Sequence, residues 1–518
     1  MDGIPKLIRG LLKPEAYHER PSAIELRQTH ISYLLFTPEF VYKIKKPVNF
    51  GFLDYTTLER RLFLCNEEVR LNRRLSPKAY LDVMGITRED GRFFMGGAVE
   101  PVEYAVKMRR LDEGRMLSRL LEKDEASPDI IKRIGHVIAA FHSSAETSGH
   151  ISGFGSIEVI RKNTLENFDQ TIPFIGKTIS TSLYSSIKDY TDDFLSQNDL
   201  LFKSRIKNNF IRDCHGDIHS EHIFIENGIE IIDCIEFNER FRYSDVIADI
   251  AFLSMDLDYA NRHGLSITLD NAYLAETGDY QGGRLMDFYR CYRAFVRGKV
   301  DGFKAFEPEV DEMEKDGSFI KAAIHFHLSG LYASGGFRPM MVVVCGPSGT
   351  GKSTLAFELA RHTGFVHLSS DRIRKELAGL PPGQRRPEPF GGGIYSEEFT
   401  LRTYGELIKR ATAFLEEGRS VVVDATFGKR TRLLEAKKAA QRTRALFRVV
   451  ECTALNSTIR ERLSKRGATP EGVISDADWE IYLKQKALFE EIKEPHTELR
   501  AEEPFSAGLK RVVAAIFG

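Results

Sequence analysis

The 518-residue sequence predicts a multidomain chain, with an α+β unit of two lobes over 1–335 and an α/β unit with a parallel sheet over 340–518. Three observations predict it. A strand–strand–helix–strand run opens the chain and gives way to helical periodicity. The breakers Gly335, Gly336 and Pro339 end a helical run, and an apolar strand starts at once. Beyond them strands and helices alternate, as βαβ units do.

In the front unit, Ile31 to Phe36 and Phe40 to Lys45 read as strands, with Thr37-Pro38-Glu39 turning between them. A helix is expected over 57–75, its apolar face marked by Leu64, Leu71 and Leu75. Glu103 to Met108 reads as another strand. Ile130 to His142, and the stretch from Ala248 on, read as helix. The rear strands are expected over 340–345, 365–369, 419–424 and 446–452.

Hydrophobic residues make up 42% and charged residues 28% of the chain, an ordinary globular balance. A net charge of -1 excludes a global attraction to nucleic acid. The rear unit is mildly basic, with an excess of about six cations from residue 340 on. The six cysteines show no CxxC spacing, which indicates neither a zinc framework nor disulfides and suits a reducing, cytoplasmic setting. Residues 1–21 carry no apolar signal-peptide core, and no apolar run nears the ~18 residues that span a bilayer.

The rear unit holds the most specific motif. Gly346-Pro347-Ser348-Gly349-Thr350-Gly351-Lys352-Ser353 fits G-x-x-x-x-G-K-[ST], follows a strand, and leads through Thr354 into a helix. Glycines there let backbone N–H groups wrap a phosphate at a helix N-terminus. Lys352 is placed to reach the outer phosphates and Ser353 to ligate Mg²⁺. Asp371 follows the second strand, where it could take a proton from an attacking hydroxyl; N-capping of the next helix is the alternative. Arg374, one turn on, could hold a phosphate. Asp424 ends the strand Val421-Val422-Val423-Asp424 and could support the Mg²⁺ shell; a plain turn acid is the alternative. Arg460, Arg462, Lys465 and Arg466 cluster on a helical stretch and could close over a transferring phosphoryl group, or form a solvated face.

As a set, these motifs resemble the polynucleotide kinase, zeta-toxin and gluconate kinase group of P-loop kinases over roughly 340–470. The resemblance implies Asp371 as general base and Arg462 and Arg466 as lid arginines. The chain departs from that group at Phe427, where an Asn is frequent.

In the front unit, His215-Gly216-Asp217-Ile218-His219-Ser220-Glu221-His222 is the densest polar run, and Ile231-Ile232-Asp233 follows it. One Asp on a substrate hydroxyl with two metal ligands beyond it is a kinase arrangement, with Asp217 as base and His222 and Asp233 on Mg²⁺. A zinc site from His215, His219 and His222 is the alternative. Upstream, Lys43 lies on a strand and could pair nucleotide phosphates, with Glu68 on the apolar side of the next helix as its ion-pair partner; a surface lysine and a helix-edge Glu are the alternative. This half resembles the aminoglycoside phosphotransferase and choline kinase-like superfamily, and Asp249 falls in a D-x-A-like helix. The resemblance implies a bilobal protein-kinase-like fold. Two departures are His222, where the superfamily usually has Asn, and the lack of a G-x-G-x-x-G loop before Lys43. The whole chain resembles a bacterial group described as fused aminoglycoside phosphotransferase-like and AAA-type ATP-binding proteins.

The expected function is therefore ATP- and Mg²⁺-dependent phosphoryl transfer from two nucleotide-binding modules to hydroxyl acceptors. The acceptors would be a small molecule or a polynucleotide 5′-hydroxyl, nucleic acid being a possible partner of the rear unit alone and a membrane not a partner. The alternative is a regulatory ATPase whose front unit is a pseudokinase-like ligand sensor.

Overall fold

The computed structural model describes residues 4–381, 391–468 and 478–518, with the side chains of 466–468 outside that description. The chain forms two compact units. One comprises Met1–Lys162, Gln197–Asp256 and Thr268–Met286, and the other Asn163–Ser196, Leu257–Ile267 and Asp287–Gly518.

The first unit is built on six strands: β1 (Glu25–Gln28), β2 (Ser32–Phe36), β3 (Phe40–Lys45), β4 (Tyr80–Glu89), β5 (Arg92–Met95) and β6 (Pro101–Arg109). They pair antiparallel in the order β1-β2-β3-β6-β4-β5. The β2–β3 turn is clamped by Thr37, whose hydroxyl and backbone both engage Phe40. The β4–β5 turn places Asp90 and Gly91 at φ 46° and 78°, the left-handed pair that a two-residue hairpin loop requires. Thr57 caps the helix Leu58–Asn72. That helix stops three residues before the expected Leu75. Its buried side carries Cys65, Glu68 and Val69, with Leu64 at its margin.

Two short antiparallel ladders in this unit carry polar loops. Strand β7 (Ile211–Asp213) pairs with β10 (Tyr243–Asp245), and β8 (Ile223–Ile225) with β9 (Ile229–Ile231). The His215–His222 segment joins β7 to β8, and Asp233 follows β9.

The second unit centres on β11 (Met340–Cys345), β12 (Val366–Ser369), β13 (Val421–Asp424), β14 (Leu446–Thr453) and β15 (Thr497–Arg500). All pairings are parallel, in the order β12-β13-β11-β14-β15. Every residue of β11 is buried because helices cover both faces of the sheet. Met341 and Val343 pack with Leu407, Leu433 and Ala436 on one face. Val342 and Val344 pack with Ile324, Leu355 and Val512 on the other. Each fully buried aliphatic side chain there contributes about 1.5–3 kcal/mol of transfer free energy. The outermost strand, β15, was not among the expected strands. Its sequence Thr-Glu-Leu-Arg is polar and buries Leu499 alone.

Candidate functional site

In the second unit the polar loops at the carboxyl ends of β11, β12 and β13 surround a cavity of about 350 Å³. The loop after β11 holds Gly346, Gly349 and Gly351 at φ 132°, 85° and 103°, which side-chain-bearing residues rarely adopt. A Cβ on Gly346 would lie 2.3 Å from the Cys452 carbonyl oxygen, so the turn requires glycine. The Thr350 hydroxyl donates to the Pro347 carbonyl at 2.8 Å and braces the loop from inside. Lys352, the first residue of the helix Lys352–Thr363, donates to the same carbonyl at 2.9 Å. Ser353 and Thr354 line the cavity beside it.

Asp371 and Asp424 face this cavity from β12's following helix and the end of β13. Burial and the neighbouring Asp424 charge push the Asp371 carboxyl above its ordinary range. Arg374 is buried on the same wall. Its guanidinium donates to the Ile394 carbonyl at 2.6 Å and the Thr400 hydroxyl at 3.1 Å, and lies 4.9 Å from the centre of the Tyr395 ring. Arg432 also lines the cavity, 4.5 Å over the Tyr404 ring. Phe427 is buried at φ 49°, and its N–H donates to the Tyr404 hydroxyl at 3.0 Å. The position that departs from the resemblance is thus a core residue, and Tyr404 supplies the polar atom nearby.

Arg462 lies against the P-loop backbone, 3.4 Å from the Gly349 carbonyl oxygen. The Arg466 side chain lies outside the described residues. Arg432, Tyr395 and Gln485 are cavity residues that sequence reasoning missed. Gln485 accepts a hydrogen bond from the Ser348 N–H at 2.8 Å, so an amide oxygen sits on a P-loop donor.

In the first unit Lys43 and Lys45 project from one face of β3. Lys43 Nζ lies 2.8 Å from Glu68 and 2.6 Å from Asp233. Lys45 Nζ lies 2.6 Å from the other Glu68 oxygen and also pairs with Glu236. Glu68 therefore bridges two lysines, whereas the sequence pointed to Lys43 alone. Burial opposes charge on all three. The opposite charges prevail, so both lysines titrate well above their ordinary value and Glu68 below its own. Asp233 behaves likewise. Burial works against its charge, yet Lys43 and His222 hold its carboxyl well below the usual range.

The His215–His222 segment is fixed by Asp249. Its two carboxylate oxygens accept from the backbone N–H groups of His215 and Gly216, both at 2.8 Å. Gly216 sits at φ 87°, and a Cβ there would lie 2.7 Å from the Phe241 carbonyl oxygen. His215 turns inward, with Nε2 3.1 Å from the Ile232 carbonyl oxygen and Nδ1 accepting the Asp217 N–H at 3.3 Å. The His residues that gather with Asp217 are His219 and His222, so His215 is not part of the cluster. Burial and the nearby His219 lower the His222 pKa. The oxygen donors Ser353 and Asp424 suit Mg²⁺, whereas the imidazole of His222 suits it poorly.

Comparison with known proteins gives matches to both halves. A family model described as an AAA domain matches residues 341–492. An uncharacterized protein of Mycobacterium tuberculosis is 30% identical over 461 residues, 88% of either chain. An adenylate kinase of Nitrobacter winogradskyi is 27% identical over 162 residues, 30% of this chain and 78% of its own. Among solved structures, a gluconokinase from Sinorhizobium meliloti covers 35% of this chain and 95% of its own at 18% identity and a TM-score of 0.26. A choline/ethanolamine kinase family protein from Mesorhizobium loti covers 60% and 92% at 12% identity and a TM-score of 0.35. No helix among the described residues is long and apolar enough to cross a membrane.

Proposed function

We propose that this chain, which belongs to the same family as the mycobacterial protein it matches over 88% of its length, is an ATP-dependent phosphotransferase whose rear cavity transfers the γ-phosphoryl group to a hydroxyl acceptor. The observation that carries this reading is one cavity lined by a complete P-loop and two carboxylates, Asp371 and Asp424. The name of the Nitrobacter relative, adenylate kinase, agrees with a kinase in this part of the chain. Backbone N–H groups of the loop and Lys352 bind the triphosphate. Ser353 and Asp424 would hold Mg²⁺, which when bound neutralises phosphate charge. Asp371 takes the proton of the acceptor hydroxyl as the new O–P bond forms and the bond from the γ-phosphorus to the β,γ-bridging oxygen breaks, releasing ADP. Its raised pKa moves it toward the operating pH of a general base. Arg374 and Arg432, each beside a tyrosine ring, orient the acceptor, and Arg462, against the P-loop backbone, serves the transferring group. The acceptor is a hydroxylated small molecule or a polynucleotide 5′-hydroxyl.

The front unit is read as a second nucleotide site, carried by the Lys43–Glu68–Asp233 chain, with Asp217 as base toward a small acceptor. The regulatory alternative, a front unit that senses a ligand without transfer, is favoured by the imidazole at position 222.

Titration of ATP against full-length wild type and Lys352→Ala tests the rear reading. Nucleotide affinity at the rear site should fall at least tenfold, about 1.4 kcal/mol. Equal affinity and equal turnover in the variant would overturn it.

A further inference from the structure

Two donors of the P-loop are engaged by the chain itself. The Ser348 N–H donates to the Gln485 amide oxygen at 2.8 Å, and Lys352 Nζ donates to the Pro347 carbonyl at 2.9 Å. The lysine contact is local to the loop. Gln485 is different, for it reaches the loop from 137 residues further along the chain. Ser348 and Gln485 both line the cavity. Backbone N–H groups of a loop with this motif are the donors that a phosphate oxygen meets. An amide oxygen and a phosphate oxygen are both acceptors, and Ser348 has one backbone N–H to give.

The helix that carries Gln485, Trp479–Leu488, is anchored along its length. Asp478 caps its first turn and accepts the Ile481 N–H at 2.9 Å. Ile481, Gln485 and Leu488 recur at four and three residues, so one helix face fronts the cavity. Tyr482 is buried against Ile459 and Leu463, and its hydroxyl donates to the Asn456 side-chain oxygen at 2.9 Å. Lys486 donates to the same oxygen at 2.9 Å. Past the helix, the Glu490 N–H donates to the Gly428 carbonyl at 2.9 Å, and the Glu490 carboxylate accepts the Arg430 N–H at 2.8 Å. These anchors fix the helix backbone. The half-buried Gln485 side chain keeps its own rotamers, so it can leave Ser348 without displacing the helix.

We propose that Gln485 is a built-in competitor for the phosphate site: its amide oxygen holds the Ser348 N–H that the P-loop would otherwise offer to the polyphosphate of a nucleotide, and nucleotide binding turns the side chain out. Gln485 acts there on the rear nucleotide site proposed above, on which this role depends. The competitor is a neutral amide, whereas phosphate oxygens carry charge and make the stronger hydrogen bonds. A polyphosphate therefore displaces it at a cost in affinity, and a nucleoside, which brings no phosphate, leaves it in place.

The experiment is a calorimetric titration of full-length protein with inorganic pyrophosphate, the rear component being the part that Lys352→Ala weakens. Gln485→Leu keeps most of the side-chain volume and removes the acceptor. It should bind pyrophosphate roughly three- to tenfold more tightly than wild type, which is the net effect of one hydrogen bond. Gln485→Ala also removes the bulk and should tighten binding at least as much. Gln485→Glu keeps the acceptor, adds a negative charge, and should weaken binding roughly tenfold or more. Hydrogen exchange separates loss of the contact from general loosening. In Gln485→Leu the Ser348 amide should exchange faster, while the amides of 421–424 keep their wild-type protection. Pyrophosphate bound no more tightly by Gln485→Leu and Gln485→Ala than by wild type, while Lys352→Ala weakens it, would overturn the competitor and leave the nucleotide reading standing. Unchanged exchange at Ser348 would also overturn the competitor. A titration indifferent to Lys352→Ala would remove the nucleotide reading and the competitor together.

Discussion

The Asp371 carboxyl titrates high because burial and the charge of Asp424 both oppose its ionisation. Its folded-state pKa lies above the unfolded one, so the folded chain holds this proton more tightly. The associated stability is fully present below the ordinary carboxylate range and is lost as pH rises through the raised value. At neutral pH the ionised group therefore works against folding. Asp371→Asn should raise the melting temperature of ligand-free protein at neutral pH by about 2 °C, and the gain should vanish in acid. A variant that melts below wild type at neutral pH would show that the carboxylate is stabilised by its surroundings. Glu68 is the opposite case. Its side chain is 0% exposed and neutralises two lysines that are 12% and 1% exposed. Glu68→Gln leaves those cations facing each other with one carboxylate fewer and should cost about 3–5 kcal/mol in urea unfolding. A loss under 1 kcal/mol would mean that Asp233 and Glu236 suffice for both lysines.

At the scale of elements, the loop held by Asp249 shows how backbone geometry constrains a site. Gly216→Ala would force a side chain into left-handed backbone and against the Phe241 carbonyl oxygen. The first unit should lose roughly 1–3 kcal/mol, and the loop's amide protons should exchange faster. Unchanged hydrogen exchange across 214–222 would count against the fixed loop. The same elements explain what could be read in advance. The P-loop was legible because its whole signal is local: one buried strand, three glycines and one helix start. Asp371 and Asp424 were legible as acids at the carboxyl ends of strands. Arg432 and Gln485 reach the cavity from helices far along the chain, and their own neighbourhoods carry no motif. Lys45 lies two residues from Lys43 on the same strand face, so alternation marks both lysines without showing that Glu68 is shared. The strand β15 was missed because it is a polar, four-residue strand at the end of the sheet order.

At the scale of the whole molecule, the chain carries two separate polar centres, each within one compact unit. The rear centre has oxygen donors and a P-loop motif around a cavity of about 350 Å³. The front centre has buried lysines and paired imidazoles. Under the proposed function the rear centre moves phosphate to a hydroxyl and does not merely hydrolyse ATP. The most direct measurement follows the γ-labelled phosphoryl group of ATP, with full-length protein, across a panel of small hydroxylated acceptors and 5′-hydroxyl oligonucleotides. Wild type should place label on an acceptor. Asp371→Asn should bind ATP normally yet transfer roughly 10²-fold more slowly. Label released only as inorganic phosphate, at a rate indifferent to every acceptor and to Asp371→Asn, would rule out transfer to a hydroxyl and leave a regulatory ATPase in its place.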